Sequence, residues 1–326
     1  MIETTGWIDC DDGAKLFVRR WKGETGRPAA LVHLVHGMAE HSLRYRRLAE
    51  KICSHGFEMW AADMRGHGKT ADLSVNDRGK GGLLGHTADK NGFFRVVEDI
   101  RIIMKHIAAQ AKAEYGEIPI FIMGHSWGSF LVQGYVEDPV PEIPLKGYIL
   151  SGTRGPGGLD ITLGAPVLSL LATLKGSRRF SKISAALSTG SYNKAFKPNR
   201  TPFDWISRDK NEVDAYAADP LCGMPCSSGF YRDMIGGIIA IHRKEAIEKI
   251  DRNLPVYIFC GSADPVGEMG HSPTMLVEAY RAHGINALEF VMYPEARHET
   301  INETNRDEVT EDILNWLTRR LNDIGK

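Results

Sequence analysis

The sequence predicts an α/β protein: a mainly parallel sheet covered on both faces by helices, with one inserted cap. Three observations carry this. Short apolar runs alternate with segments whose apolar residues recur at helical spacing. One such run, residues 118–123, passes through the turn Gly124-His125-Ser126-Trp127-Gly128 directly into a helix-compatible segment, residues 129–135. The interval from about residue 154 to 229 then breaks the rhythm, and it is too long for a structureless connection in a compact domain.

Taken in order, residues 16–21 and 30–35 read as successive strands, followed by the loop His36-Gly37-Met38-Ala39-Glu40-His41. Tyr45, Leu48, Ala49 and Ile52 mark a helix face, and Gly56 is placed to terminate it. Residues 58–63 are a strand ending in Arg65-Gly66-His67-Gly68. Ile100, Ile103, Met104, Ile107 and Ala111 fall mostly on one stripe of a helix able to cover a sheet. Beyond the serine turn, strands are expected at 147–150, 256–260 and 288–293, and residues 312–317 belong to a closing helix. Inside the interruption, residues 214–220 finish one segment at Pro220, and the amphipathic stretch 230–239 returns to the core. The expected organisation is a core of residues 1–153 and 230–326 with a cap at 154–229.

The 326 residues are 43% hydrophobic and 25% charged with a net charge of −1, which gives ample core and no electrostatic case for nucleic-acid binding. There is no 18-residue apolar span for a membrane helix and no basic-then-apolar leader, so a cytoplasmic protein is expected. Five cysteines form no evident disulfide framework; Cys222 and Cys226 have a spacing sometimes seen at metals, but no second pair follows, and structural thiols are expected.

Strand, tight turn and helix centred on Ser126 describe a nucleophile elbow, in which the hydroxyl points away from the sheet. A chance glycine-serine turn would lack the flanking strand and helix. A serine hydroxyl needs a neutral imidazole to take its proton during attack. His298, in the loop after the last expected strand, is the best placed histidine. Asp264, just after the 256–260 strand, is the expected acid to orient it, with Glu268 and Glu295 as weaker alternatives. An aspartate before Pro265 also suits a plain turn. The oxyanion donors are expected to be the backbone N–H groups of Trp127 and Met38. His36 would align the Met38 loop and His125 would serve in packing. This chemistry requires no metal and no organic cofactor.

The motifs Val35-His36-Gly37-Met38-Ala39-Glu40-His41, Asp63-Met64-Arg65-Gly66-His67-Gly68, Gly124-His125-Ser126-Trp127-Gly128, Gly261-Ser262-Ala263-Asp264-Pro265 and residues 293–299 span nearly the whole chain. Together they resemble the monoacylglycerol lipase and lysophospholipase-like branch of the α/β-hydrolases, also grouped with serine aminopeptidase-like sequences. The resemblance implies Ser126 as nucleophile, Asp264 as acid, His298 as base, and oxyanion donors at Met38 and Trp127.

The expected function is hydrolysis of a carboxylic ester with a moderately hydrophobic acyl group, such as a monoacylglycerol or lysophospholipid. Candidate substrate contacts are Leu163, Leu168, Leu171 and Trp205 in the cap, although an apolar run of that kind also reads as an ordinary buried helix. Basic Lys175, Arg178 and Arg179 beside the run allow attraction of anionic headgroups and transient membrane-surface contact. Two other readings stand beside this one. A peptidase or amidase would hold a substrate ammonium at Glu212, Asp214 or Asp219, and a noncatalytic small-ligand receptor would need no activated serine.

Overall fold

The computed structural model describes residues 1–322 apart from 25, 77–79 and 181–189, and for 159, 160, 162 and 175 the backbone alone. Among the described residues, eight strands form one sheet: β1 (Ile2–Asp9), β2 (Lys15–Lys22), β3 (Leu31–Val35), β4 (Glu58–Ala62), β5 (Ile120–His125), β6 (Leu145–Ser151), β7 (Val256–Gly261) and β8 (Leu288–Tyr293). Their spatial order is β1-β2-β4-β3-β5-β6-β7-β8. β1 and β2 pair antiparallel, as do β2 and β4, while every later pairing is parallel.

The helices are α1 (Arg46–Ser54), α2 (Gly92–Tyr115), α3 (Trp127–Val136), α4 (Leu159–Lys175), α5 (Lys210–Ala218), α6 (Ser228–Ile241), the short α7 (Lys244–Ile247), α8 (His271–Ala282) and α9 (Arg306–Asn322). Alternation along the strands divides the core in two. On β3 and β5, Leu31, Val35, Ile120 and Ile122 pack into the cluster under α2, α3 and α6. Their neighbours Val32, Leu34, Phe121 and Met123 pack into the cluster under α1 and α9. Both faces of the central strands are therefore buried, as a parallel sheet requires. Each fully buried Leu, Ile or Phe contributes about 1.5–3 kcal/mol.

The expected strands and helices occur at their predicted places, whereas β1, the short α7 and α8 were not read from the sequence. β1 is an edge strand with mostly exposed residues, so it shows no apolar alternation. α8 opens on His271-Ser272-Pro273, where proline is tolerated only because the first turn has no helical acceptor for its N–H. The stretch between β6 and α6 carries the helical cap, with α4 and α5 in it. α5 ends just before Asp219-Pro220, and α6 begins at Ser228, capped by the Ser227 side chain accepting from the Phe230 N–H. Among the described residues, no helix is long and apolar enough to cross a membrane.

The elbow depends on backbone contact. A Cβ at position 128 would lie 2.2 Å from the Val35 carbonyl oxygen and 2.5 Å from that of His36. One at position 124 would lie 2.4 Å from the Gly128 carbonyl oxygen. G128A should therefore lose stability by roughly 1–3 kcal/mol or more in urea unfolding. G6A, where nothing lies within 4 Å, should stay within about 0.5 kcal/mol of the unsubstituted protein. Equal midpoints for G128A and the parent would contradict this packing.

Candidate active site

Three strands deliver the three polar side chains to one edge of the sheet. Ser126 follows β5 at the start of α3, Asp264 follows β7, and His298 follows β8. Clefts in open α/β sheets form at this carboxyl edge. Ser126 has φ 53° and ψ −123°, a conformation that non-glycine residues rarely adopt. That strain turns the hydroxyl out of the sheet, and it persists because β3 and α3 enclose the turn.

The Ser126 Oγ lies 2.8 Å from His298 Nε2. On the other side of the ring, Nδ1 lies 2.9 and 3.0 Å from the two Asp264 oxygens. With the carboxylate accepting from Nδ1–H, Nε2 presents its lone pair to the serine O–H. Asp264 Oδ1 also accepts the Val266 N–H at 2.8 Å, which fixes the carboxylate. Both Asp264 and His298 are buried. Glu268 is ion-paired to Arg154 instead, and Glu295 reaches Arg208, so Asp264 is the carboxylate that meets the imidazole. Burial alone would lower the pKa of His298. The charge and hydrogen bond of Asp264, aided by Glu299 and Glu40, more than reverse this and hold it above the ordinary histidine value.

Trp127 is the first residue of α3, so its N–H has no acceptor within the helix and faces the turn. The loop after β3 lies against the nucleophile: a Cβ at Gly37 would be 3.2 Å from Ser126 Cβ. Gly37 N–H donates to Glu40 Oε1 at 2.5 Å, which leaves the Met38 N–H as the next donor along the loop. His36 orders this loop from beneath. Its Nε2 accepts the Met64 N–H at 2.8 Å, so Nδ1 carries the proton donated to the Gly37 carbonyl at 2.7 Å. His125 is buried and pushed down to about 4 by desolvation and then by His298, so it is a neutral packing group beside Ser151.

A buried charge bridge, not anticipated from the sequence, ties the two loops together. Arg44 donates to Glu40 Oε2 at 2.8 Å and to both Glu299 oxygens at 2.7 Å. Glu40 Oε1 also accepts the Tyr45 O–H at 2.7 Å. Burial would raise the pKa of Glu40, yet Arg44, aided by the Tyr45 hydrogen bond, holds it down at about 2. Glu40 and Arg44 are four residues apart, but Glu40 precedes the short helical turn 42–45 and His41 between them is extended, so no helical spacing announces the contact.

The four cap candidates separate. The Trp205 ring lies 5.1 Å from that of His298, at the site. Leu168 is fully buried in the main core cluster, and Leu171 is half-buried. Leu163 is 67% exposed, on a solvent-facing stripe with Val167, Leu170 and Leu174. Arg178 is held by Asp89 through two contacts of 2.7 and 2.9 Å. The Lys175 side chain lies outside the described residues.

Fold and site together define an α/β-hydrolase of the serine-hydrolase type, and the chain is an enzyme of that class. The family model for serine aminopeptidase, S33, matches residues 26–305. The chain belongs to that family, in its monoacylglycerol- and monoglyceride-lipase-like branch. It is 26% identical to a monoacylglycerol lipase of Mycolicibacterium smegmatis over 95% of both chains. It is 28% identical to human monoglyceride lipase over 78% of this chain and 71% of the human one. Among solved structures, a thermostable carboxyl esterase from Bacillus coagulans superposes with a TM-score of 0.86 at 28% identity, covering 98% and 99% of the two chains.

The titratable groups whose charge acts on the His298 ring include Asp264, Glu299 and Glu40, and the His125 ring lies 4.9 Å away. If neutral His298 is the proton acceptor, kcat/KM should rise as pH climbs through its elevated pKa. E299Q removes one charge that supports the imidazolium, so the acidic limb should move to lower pH. An unmoved limb, or one displaced upward, would contradict this electrostatic account.

Proposed function

We propose that the chain hydrolyses carboxylic esters with a moderately hydrophobic acyl group, with monoacylglycerols as the foremost substrate class. The observation that carries this reading is the contact of Ser126 Oγ with His298 Nε2 at 2.8 Å, on a turn strained to φ 53°. In this mechanism Ser126 attacks the ester carbonyl while His298 accepts its proton, and Asp264 steadies the imidazolium. The N–H groups of Met38 and Trp127 receive the oxyanion. The imidazolium then protonates the departing alcohol. Water, activated by the same histidine, attacks the acyl-enzyme, and collapse of the second tetrahedral intermediate frees the acid and Ser126.

The names of the relatives support an ester rather than an amide, and so do the cap carboxylates. Glu212 is paired with Arg306 and Asp214 with Arg200, so two of the three acids suited to a substrate ammonium are already engaged by guanidinium groups. We take residues 154–229 as the cap, with Trp205 at the reacting centre. The exposed stripe of Leu163, Val167, Leu170 and Leu174 recurs at helical spacing, and we assign to it transient contact with a lipid surface.

A matched series of glycerol monoesters and the corresponding amides tests the reading. Each buried methylene should improve kcat/KM by about fourfold, from about 0.8 kcal/mol of transfer free energy, until the pocket is filled. Amides should be turned over far more slowly than esters. A flat response to chain length, strict preference for acetyl esters, or faster amide cleavage would overturn the assignment.

A further inference from the structure

The junction between the Met38 loop and the cap holds a second chemical cluster, apart from the Ser126 triad. His41 Nε2 lies 2.8 Å from Asp219 Oδ2. The Cys222 sulfur completes a trio whose ligating atoms all fall within 4.8 Å of one another. We propose that His41, Asp219 and Cys222 bind a divalent cation of the zinc class.

The backbone brings these groups together without help from an ion. Asp219 precedes Pro220 and is extended, as a residue before proline prefers. A tight turn follows, with Cys222 N–H donating to the Asp219 carbonyl at 3.0 Å. Leu221 N–H occupies Asp219 Oδ1 at 2.8 Å, which leaves Oδ2 directed at His41. Two further hydrogen bonds, each 2.9 Å, run to the Ala39 carbonyl from the Gly223 N–H and the Tyr216 O–H. The segments carrying the ligands are thus fixed to one another, and such preorganisation favours binding.

The donor set selects the ion. One imidazole nitrogen, one carboxylate oxygen and one thiol suit a borderline metal such as Zn²⁺ or Co²⁺, whereas Mg²⁺ and Ca²⁺ take oxygen ligands. Ligand atoms around tetrahedral zinc stand roughly 3.3–3.8 Å apart, so side-chain shifts of about an ångström close the set. His41 and Cys222 are buried, but the Asp219 side chain is 32% exposed, which gives an entry path and room for a water as fourth ligand. Arg44, whose charge reaches Asp219 and Cys222, is itself shared by two carboxylates, Glu40 and Glu299. Cys226 lies outside the trio, so the four-residue cysteine spacing is not the feature that matters.

Proton balance follows from the ligands. His41 binds through the Nε2 lone pair with its proton on Nδ1, and Asp219 binds as the carboxylate. The Cys222 S–H loses one proton as the metal–sulfur bond forms. Binding thus releases the thiol proton to solvent. Since His41 is three residues beyond Met38, the ion would fasten the loop that carries the proposed oxyanion donor.

The test uses the full chain, stripped with chelator and titrated with Co²⁺ and then Zn²⁺. One equivalent of Co²⁺ should give a thiolate-to-cobalt charge-transfer band that Zn²⁺ abolishes. C226S should keep the band. C222S should lose it, and C222S and D219N should each bind Zn²⁺ at least tenfold more weakly, with thermal unfolding showing that both variants are folded. Absence of the band in the unsubstituted protein, or its persistence in C222S, would overturn the proposal, and the unsubstituted protein decides the first point whatever the variants do.

Discussion

The backbone at Ser126 is the constraint on which the site depends. Its φ of 53° is unfavourable for a residue with a side chain, and nothing within the turn itself relieves it. The surrounding sheet and helix enforce it. α3 approaches so closely that Gly128 can bear no Cβ beside the Val35 carbonyl, and Gly124 can bear none beside the Gly128 carbonyl. The two buried clusters that sandwich β3 and β5 supply the stability that holds this arrangement. The reactive geometry is thus a local cost offset by the whole core.

A second constraint lies in the loops. The imidazole approaches from the loop after β8, and the Met38 loop approaches from β3 on the other side of β5. Independent motion of the two would spoil any chemistry that needs both. Arg44 joins them through Glu40 and Glu299, and all three side chains are nearly inaccessible to solvent. A buried bridge of this kind adds little net stability, but loss of one partner strands a charge and costs about 3–5 kcal/mol. The cap is tied to the same two loops. Glu299 N–H donates to the Ile206 carbonyl at 2.7 Å, and Gly223 N–H to that of Ala39 at 2.9 Å. The part of the cap around residues 203–223 therefore belongs to the framework of the site, whereas α4 presents apolar residues outward.

The parallel core and the meeting of Ser126, Asp264 and His298 were legible in the sequence because each rests on local signals. Buried strands read as apolar runs, the elbow as glycines around a serine, and the other two residues as loops following strands. The charge bridge was not legible, because Glu299 comes to Arg44 across 255 residues and only the fold brings them together. β1 was missed since an edge strand with an exposed face carries no apolar pattern. In α4 the apolar run did not reveal which residues face inward. Leu168 is buried and Leu163 exposed because five positions turn the helix by well over a quarter circle.

The central claim is that Ser126 is the nucleophile that His298 activates. Its most direct measurement is peptide mapping by mass spectrometry after reaction with a fluorophosphonate, on the unsubstituted protein and on S126A. The account predicts a single adduct on Ser126, formed faster as pH rises through the His298 pKa, and no adduct and almost no ester turnover in S126A. An adduct on another residue, with ester hydrolysis preserved in folded S126A, would contradict it.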